Sequence, residues 1–230
     1  MITLTGDTHR QFKRIKEFCE KNNTTKEDIL IILGDAGINY YGYVRDREVK
    51  EFLANLPITI FAIHGNHEMR PESLEYYHTQ IWHEGLVYVE DDFPSLLFAK
   101  DGEIYNIGGK KVIAIGGAYS VDKNIRLLRG WKWFLDEQPS DTIKSYVEEQ
   151  LNRVEWKIDI VLSHTTPYSY MPVECFMRSV DQSRVDYSTE HWLDTLEEKM
   201  EYTNWFSGHF HCQKRIDKLE ILFENYVVLD

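Results

Sequence analysis

Cysteine is scarce. The chain has 3 in 230 residues, Cys19, Cys175 and Cys212, an odd number, widely scattered and never at metal-ligand spacing. That pattern fits reduced thiols in a cytoplasm better than a disulfide framework. Proline is also thin, at 6 residues, and no Pro/Gly/Ser-rich linker, internal repeat or low-complexity tract interrupts the chain. With 43% hydrophobic residues, residues 1–230 are long enough to bury one core and are expected to form a single domain. No apolar run approaches the ~20 residues needed to cross a bilayer, and no basic segment precedes an apolar one at the N-terminus. The expectation is a cytoplasmic protein with no membrane partner. Positive charge is short as well: 26 Lys and Arg stand against 38 Asp and Glu, a formal net charge of −12. A polyanion-binding surface needs the opposite balance, so no extended nucleic-acid surface is expected. Lys123, Arg126, Arg129 and Lys132 form a local basic cluster, either an anion-attracting patch or a solvated face.

Short apolar, β-branched runs at 2–5, 29–33, 58–63, 111–115, 158–163 and 203–207 predict strands, and weaker alternating runs at 86–89, 95–98, 103–107 and 220–224 predict more. Helical spacing falls at 10–22, 45–55, 141–155 and 189–201. The order begins strand-helix-strand-helix-strand and later becomes richer in strands, which a layered α/β sandwich accommodates. Residues 164–188 carry no readable period.

The segments leaving the strong strands are polar. "GDTHRQF" at 6–12 places Asp7 and His9 two apart; "ILIILGDAG" delivers Asp35; "ITIFAIHGNHEMR" delivers Asn66, His67 and Arg70; "IDIVLSHTTP" delivers His164; "TNWFSGHFH" delivers His209 and His211. Six of the 9 histidines lie in these segments, the five just named and His64. Read singly, each has an ordinary explanation. Gly-Asp is a common turn, Asp7 suits a helix cap, and a His-x-His can be alternate faces of a strand or a lone zinc site. Read together, polar groups at the carboxyl ends of neighbouring parallel strands converge on one rim, where open α/β sheets bind ligands.

The set "GDTH", "LGDAG", "GNHE", "SH" and "GHFH", in this order from residue 6 to residue 211, resembles the calcineurin-like metallophosphoesterase family. The resemblance implies a β-sandwich of mixed sheets flanked by helices, carrying two divalent metal ions. Asp7, His9 and His211 would hold one ion, Asn66, His164 and His209 the other, and Asp35 would bridge them. Carboxylate, amide and imidazole donors without thiolate suit Mn²⁺, with Fe²⁺, Co²⁺, Ni²⁺ or Zn²⁺ as alternatives. The implied reaction is attack on a phosphoester by hydroxide generated at the metals, with His67 protonating the leaving oxygen. Arg70 extends the third motif and is read as a catalytic or substrate contact gripping phosphate oxygens, or as the partner of Glu72 or Glu75.

Two departures matter. Arg10 stands where the family often has glycine, as a phosphate contact or a helix-start cation. The Asp-Arg-Gly of protein serine/threonine phosphatases is missing after Asp35, which removes the aspartate that orients the catalytic histidine there. Tyr40, with Tyr41 and Tyr43, and Tyr119, with Lys123 and Arg126 in "GGAYSVDKNIRLLRGWKW", are candidate substrate contacts that the resemblance does not cover. The expected function is hydrolysis of a small phosphodiester or phosphomonoester, with a lean toward diesters because motif-linked cations are few. The alternatives are a nuclease, a protein phosphatase of the same fold, or a non-catalytic scaffold.

Overall fold

A computed structural model describes residues 1–229. Strands β1 (Ile2–Thr5), β2 (Ile29–Ile32) and β3 (Thr59–Ala62) alternate with helices α1 (Lys13–Asn22) and α2 (Val44–Ala54). Then come β4 (His78–Trp82), β5 (Gly85–Val89), β6 (Leu96–Ala99), β7 (Ile104–Ile107), β8 (Lys110–Ile115), α3 (Lys123–Arg129), α4 (Asp141–Arg153) and β9 (Ile160–Ser163). The chain closes with α5 (Ser188–Glu197), β10 (Asn204–Ser207), β11 (Lys214–Ile216), β12 (Leu219–Ile221) and β13 (Val227–Leu229). These build a seven-stranded sheet, β13-β1-β2-β3-β6-β5-β4, and a six-stranded sheet, β11-β12-β10-β9-β8-β7. Both mix parallel and antiparallel pairs.

The continuous apolar runs follow from burial on both faces. Ile29, Ile31 and Leu33 point between the sheets, where they meet Val112, Ala114, Ile160, Leu162 and Phe206 of the second sheet. The alternate residues, Leu30 and Ile32, face the helices and pack with Ile15, Phe18 and Leu53. A one-residue slip would exchange two fully buried faces, so the register is held by packing on both sides. On the far side, Val147 and Leu151 of α4 and Trp192, Leu193 and Leu196 of α5 cover the second sheet. The result is helices, sheet, sheet, helices: the expected sandwich of mixed sheets flanked by helices.

Four elements escape the sequence pattern. β4 is mostly exposed and exists by pairing with β5 at the sheet edge. β11 and β13 have 3 residues each, and α3 has 7, too few for a period to show. Helix α1 starts later than the pattern predicts because residues 8–10 are recruited elsewhere. The amides of Thr8 and His9 donate to the Asp35 carbonyl at 3.2 and 2.8 Å, and that of Arg10 to the Ala36 carbonyl at 3.2 Å. Asp7 is therefore no helix cap; Phe12 precedes α1, with no side-chain cap. Residues 164–188 hold three short 3₁₀ turns, at Tyr168–Tyr170, Val173–Cys175 and Gln182–Arg184.

Candidate metal centre

The loops leaving β1, β2 and β3 in one sheet and β8, β9 and β10 in the other open at the same rim, and all seven candidate ligands lie there. Main-chain amides aim the two carboxylates. Asp7 Oδ1 accepts from the His209 amide at 2.8 Å, and Asp35 Oδ1 from the His67 amide at 2.7 Å. The loops come very close. A Cβ on Gly208 would lie 2.4 Å from Asp7 Oδ1, and one on Gly34, at φ +89°, would lie 2.0 Å from His164 Nδ1. The backbone is also bent where the ligands sit. His9, Asp35, His209 and His211 have φ of 43°, 47°, 70° and 50°, a region costly for residues with a Cβ and held by the surrounding structure.

Two donor groups form. In the first, His9 Nε2 and His211 Nε2 are 2.8 Å apart, and Asp7 Oδ2 lies 3.1 Å from His211 Nε2 and 3.6 Å from His9 Nε2. In the second, Asn66 Oδ1 lies 2.8 Å from His164 Nε2 and 3.1 Å from His209 Nδ1. Asp35 stands between them: Oδ2 is 3.8 Å from His9 Nε2, and Oδ1 is 3.7 Å from His164 Nε2. Donor atoms of Asp7, His9 and His211, of His9, Asp35 and His67, and of Asp7, Asp35 and His164 each fall within 4.8 Å of one another. His67, expected outside the ligand set, is thus close enough to Asp35 to belong to one such group.

The donors suit a cation. His164 Nδ1 lies 2.8 Å from the Leu33 carbonyl, which places the ring proton there and leaves the Nε2 lone pair facing the site. Burial pushes Asp7 toward its neutral form, but His211 and His9 hold its carboxyl well below the usual range. Asp35 is likewise lowered despite burial, by His67 and His164. Burial and the neighbouring His164 push His209 down to about 3, so it stays neutral and able to donate a lone pair. Glu68 is buried below the cluster and accepts from the amides of Ala36, Gly37 and Gly65 at 3.2, 3.1 and 3.3 Å, tying the second motif loop to the third.

A carboxylate beside His67, missing from the sequence motifs, comes from the turn before α3. Asp122 Oδ1 lies 3.5 Å from His67 Nε2, and Arg126 Nη2 lies 3.0 Å from His67 Nδ1. Arg126 Nε also donates to both Asp122 oxygens at 2.8 Å, so the imidazole rests against an ion pair. His67 and Arg126 drive the Asp122 carboxyl far down against its burial. Ser120, from the same loop, accepts from Asn66 Nδ2 at 2.9 Å and fixes which way the amide oxygen points.

The other substrate candidates divide. Tyr119 lines the cleft above the donors, a cavity of about 540 Å³. Arg70 does not reach it. Its guanidinium is buried, donates to the Asp136 carbonyl at 2.8 Å and pairs with Asp101, with Glu72 at 3.9 Å. The expected phosphate contact is replaced by a buried ion pair, because Asp101 and Asp136 draw the side chain inward. Arg10 is also committed, to Asp46 at 2.7 Å and the Gly37 carbonyl at 3.0 Å. The Tyr40 ring packs against Tyr41 and Phe134, at 4.8 and 6.0 Å, outside the cleft lining. Of the basic cluster, Arg126 alone turns into the cleft, while Lys123 and Arg129 lie over the rings of Trp133 and Trp131 at 3.8 and 4.9 Å. Cys19, Cys175 and Cys212 are free thiols. Among the described residues no helix is long and apolar enough to cross a membrane.

A family model described as calcineurin-like phosphoesterase matches residues 1–213. Among solved structures, the chain is similar to TT1561 of Thermus thermophilus over 97% of its own length and 89% of that chain, with TM-score 0.52 and 11% identity, a likeness of fold alone. A protein of unknown function, AQ665 from Aquifex aeolicus, overlaps 73% of this chain and 80% of its own, with TM-score 0.32 and 15% identity. No curated protein matched.

Proposed function

Because the chain belongs to the calcineurin-like phosphoesterase family, we propose that its rim site hydrolyses a small phosphoester with two divalent ions, Mn²⁺ first among them. The observation that carries the reading is the pair of donor groups joined by Asp35: Asp7, His9 and His211 on one side, Asn66, His164 and His209 on the other. A carboxylate between two cations offsets their repulsion, and seven convergent donors exceed what one tetrahedral ion needs. Ions held there would supply an activated water and stabilise charge gathering on the phosphoryl oxygens.

The chain's own groups do the rest. Gly34 and Gly208 let the loops close on the donors, the His209 and His67 amides fix the carboxylates, and Ser120 fixes the Asn66 amide. Both nitrogens of His67 are engaged: Nδ1 lies 3.0 Å from Arg126 Nη2 and 3.3 Å from Asp35 Oδ2, and Nε2 lies 3.5 Å from Asp122 Oδ1. To protonate the departing oxygen the ring must carry two protons and end as neutral imidazole; the Asp122 and Asp35 carboxylates balance the imidazolium charge, and Asp122 orients the ring. Arg126 is the one arginine or lysine lining the cleft among the described residues, and it is already paired. A monoester dianion wants additional free cations, so this favours a diester.

The test is turnover of bis-p-nitrophenyl phosphate and p-nitrophenyl phosphate with added Mn²⁺, alongside metal analysis. The expected result is close to two ions per chain and a diester cleaved at least as well as the monoester. No turnover of either ester with any of the five metals would sink the enzyme reading. A tenfold monoester preference in kcat/KM, about 1.4 kcal/mol of transition-state binding, would reverse the diester lean alone.

A further inference from the structure

The cleft has two walls of opposite chemistry. One is the donor cluster with His67. The other is apolar, built from Phe176, Val180 and Val185 in the segment between β9 and α5, with Val121 and Phe210 beside them. This wall is anchored. The Phe176 and Phe210 rings stack at 5.9 Å and 13°, and Glu174 pairs with Lys214 just beyond them. Glu190, on α5, also lines the cleft; it is 3% exposed, and its Oε1 accepts from Thr165 Oγ1 at 2.8 Å while Oε2 has no protein partner. Burial raises this carboxyl to about 7, so it adds only part of a charge near neutrality. Arg126 is committed to Asp122, so a second phosphate, or a polynucleotide backbone, would enter without a free cation to meet it.

We infer that the apolar wall is a substrate subsite, and that the substrate is a phosphoester with a single phosphoryl group bearing a bulky uncharged organic substituent seated against Phe176, Val180, Val185 and Phe210. The inference rests on the phosphoesterase reading and deepens it. A phosphoryl group at the donors would fill only part of a 540 Å³ cleft, and apart from Gln182, Tyr187 and Glu190 what remains is bounded largely by apolar side chains that gain by excluding water. The substituent contributes binding through buried area, and the phosphoryl group fixes its position.

Non-hydrolysable phosphonates separate binding from turnover. Methylphosphonate and butylphosphonate are titrated calorimetrically into the Mn²⁺-loaded protein. Three additional methylenes, about half-buried in an open cleft, should tighten Kd roughly tenfold. In Val185→Ser and, separately, Phe176→Ser, the butyl-to-methyl ratio should fall below about threefold; two variants guard against one failing to fold. Equal affinities in the wild type, or a ratio that survives in both folded variants, would each overturn the subsite. A protein that cleaves bis-p-nitrophenyl phosphate but shows a flat phosphonate series sinks this inference alone. One that discriminates the phosphonates but turns over no ester sinks the enzymatic reading instead.

Discussion

Replacing Asp122 with Asn removes one charge at almost constant volume, and its effect can be worked from the structure. His67 lies between Asp122, 3.5 Å from Nε2, and Arg126, 3.0 Å from Nδ1. With Asp122 neutral, a proton on the ring faces the guanidinium with only the Asp35 carboxylate, 3.3 Å from Nδ1, left to balance it. At 3.5 Å and an effective dielectric of ~20, the lost attraction is about 5 kcal/mol. The Asp122 side chain is 27% exposed, so screening removes roughly half and leaves ~2–3 kcal/mol, or about a 10²-fold loss in kcat. The assay compares an alkyl ester with a p-nitrophenyl ester in Mn²⁺-loaded protein of measured metal content, for Asp122→Asn, His67→Gln and the double variant. The loss should be largest for the alkyl ester, whose leaving oxygen needs the proton, and metal content should hold. His67→Gln should cost ~10²–10⁴-fold, and adding Asp122→Asn to it should cost little more, because Asp122 acts through the ring. Fully additive losses, or an Asp122→Asn protein as active as wild type on the alkyl ester, would refute the reasoning; loss of metal in His67→Gln would make His67 a ligand.

Three further outcomes are expected. Asp35→Asn, altering the one carboxylate that stands between both donor groups, should lower metal content at both positions by equilibrium dialysis; two ions retained with full activity would show that Asp35 does not bridge. Arg70→Met leaves Asp101 buried without its partner and should cost about 3–5 kcal/mol in urea unfolding, with KM for the chromogenic diester shifted less than about threefold; unchanged stability with a raised KM would return Arg70 to the substrate. Burial raises Glu190 from 4.5 to about 7, so the folded chain keeps a proton that the unfolded chain releases between those values. Stability present below pH 4.5 is therefore lost as pH rises through 7, by at most ~3 kcal/mol; Glu190→Gln should remove this slope from metal-free urea curves at pH 5 and 8, and parallel wild-type and variant behaviour would contradict it.

Much of the site was legible because its determinants are local. A strand buried on both faces must be an unbroken apolar run, as at 29–33, and the polar residue that follows it must emerge at the strand's carboxyl end. That places Asp7, Asp35, Asn66, His164, His209 and His211 at one rim from sequence order alone, once the strands run parallel. Glycines at 34 and 208 mark where one loop crowds the next, although only the folded chain shows which side chain each would strike. The edge strand β4 was invisible for the converse reason: with almost no buried face it has no pattern to display, and it forms because β5 offers a free edge.

What the tertiary structure alone decided was partnership. Sequence specifies that Arg70 follows the third motif, but a guanidinium on a long side chain takes the nearest buried carboxylate, and Asp101 arrives from the turn after β6 to claim it. Arg10 goes to Asp46 in the same way. The carboxylate beside His67 comes from a loop whose sequence shows no motif, since any loop that delivers a charge to 3.5 Å can serve, and the apolar wall comes from a segment with no regular period at all. Ligands are tied to strand ends and so to sequence order. Orienting groups and substrate walls are tied only to distance in space, which many sequences can meet and which the packing of the two sheets settles.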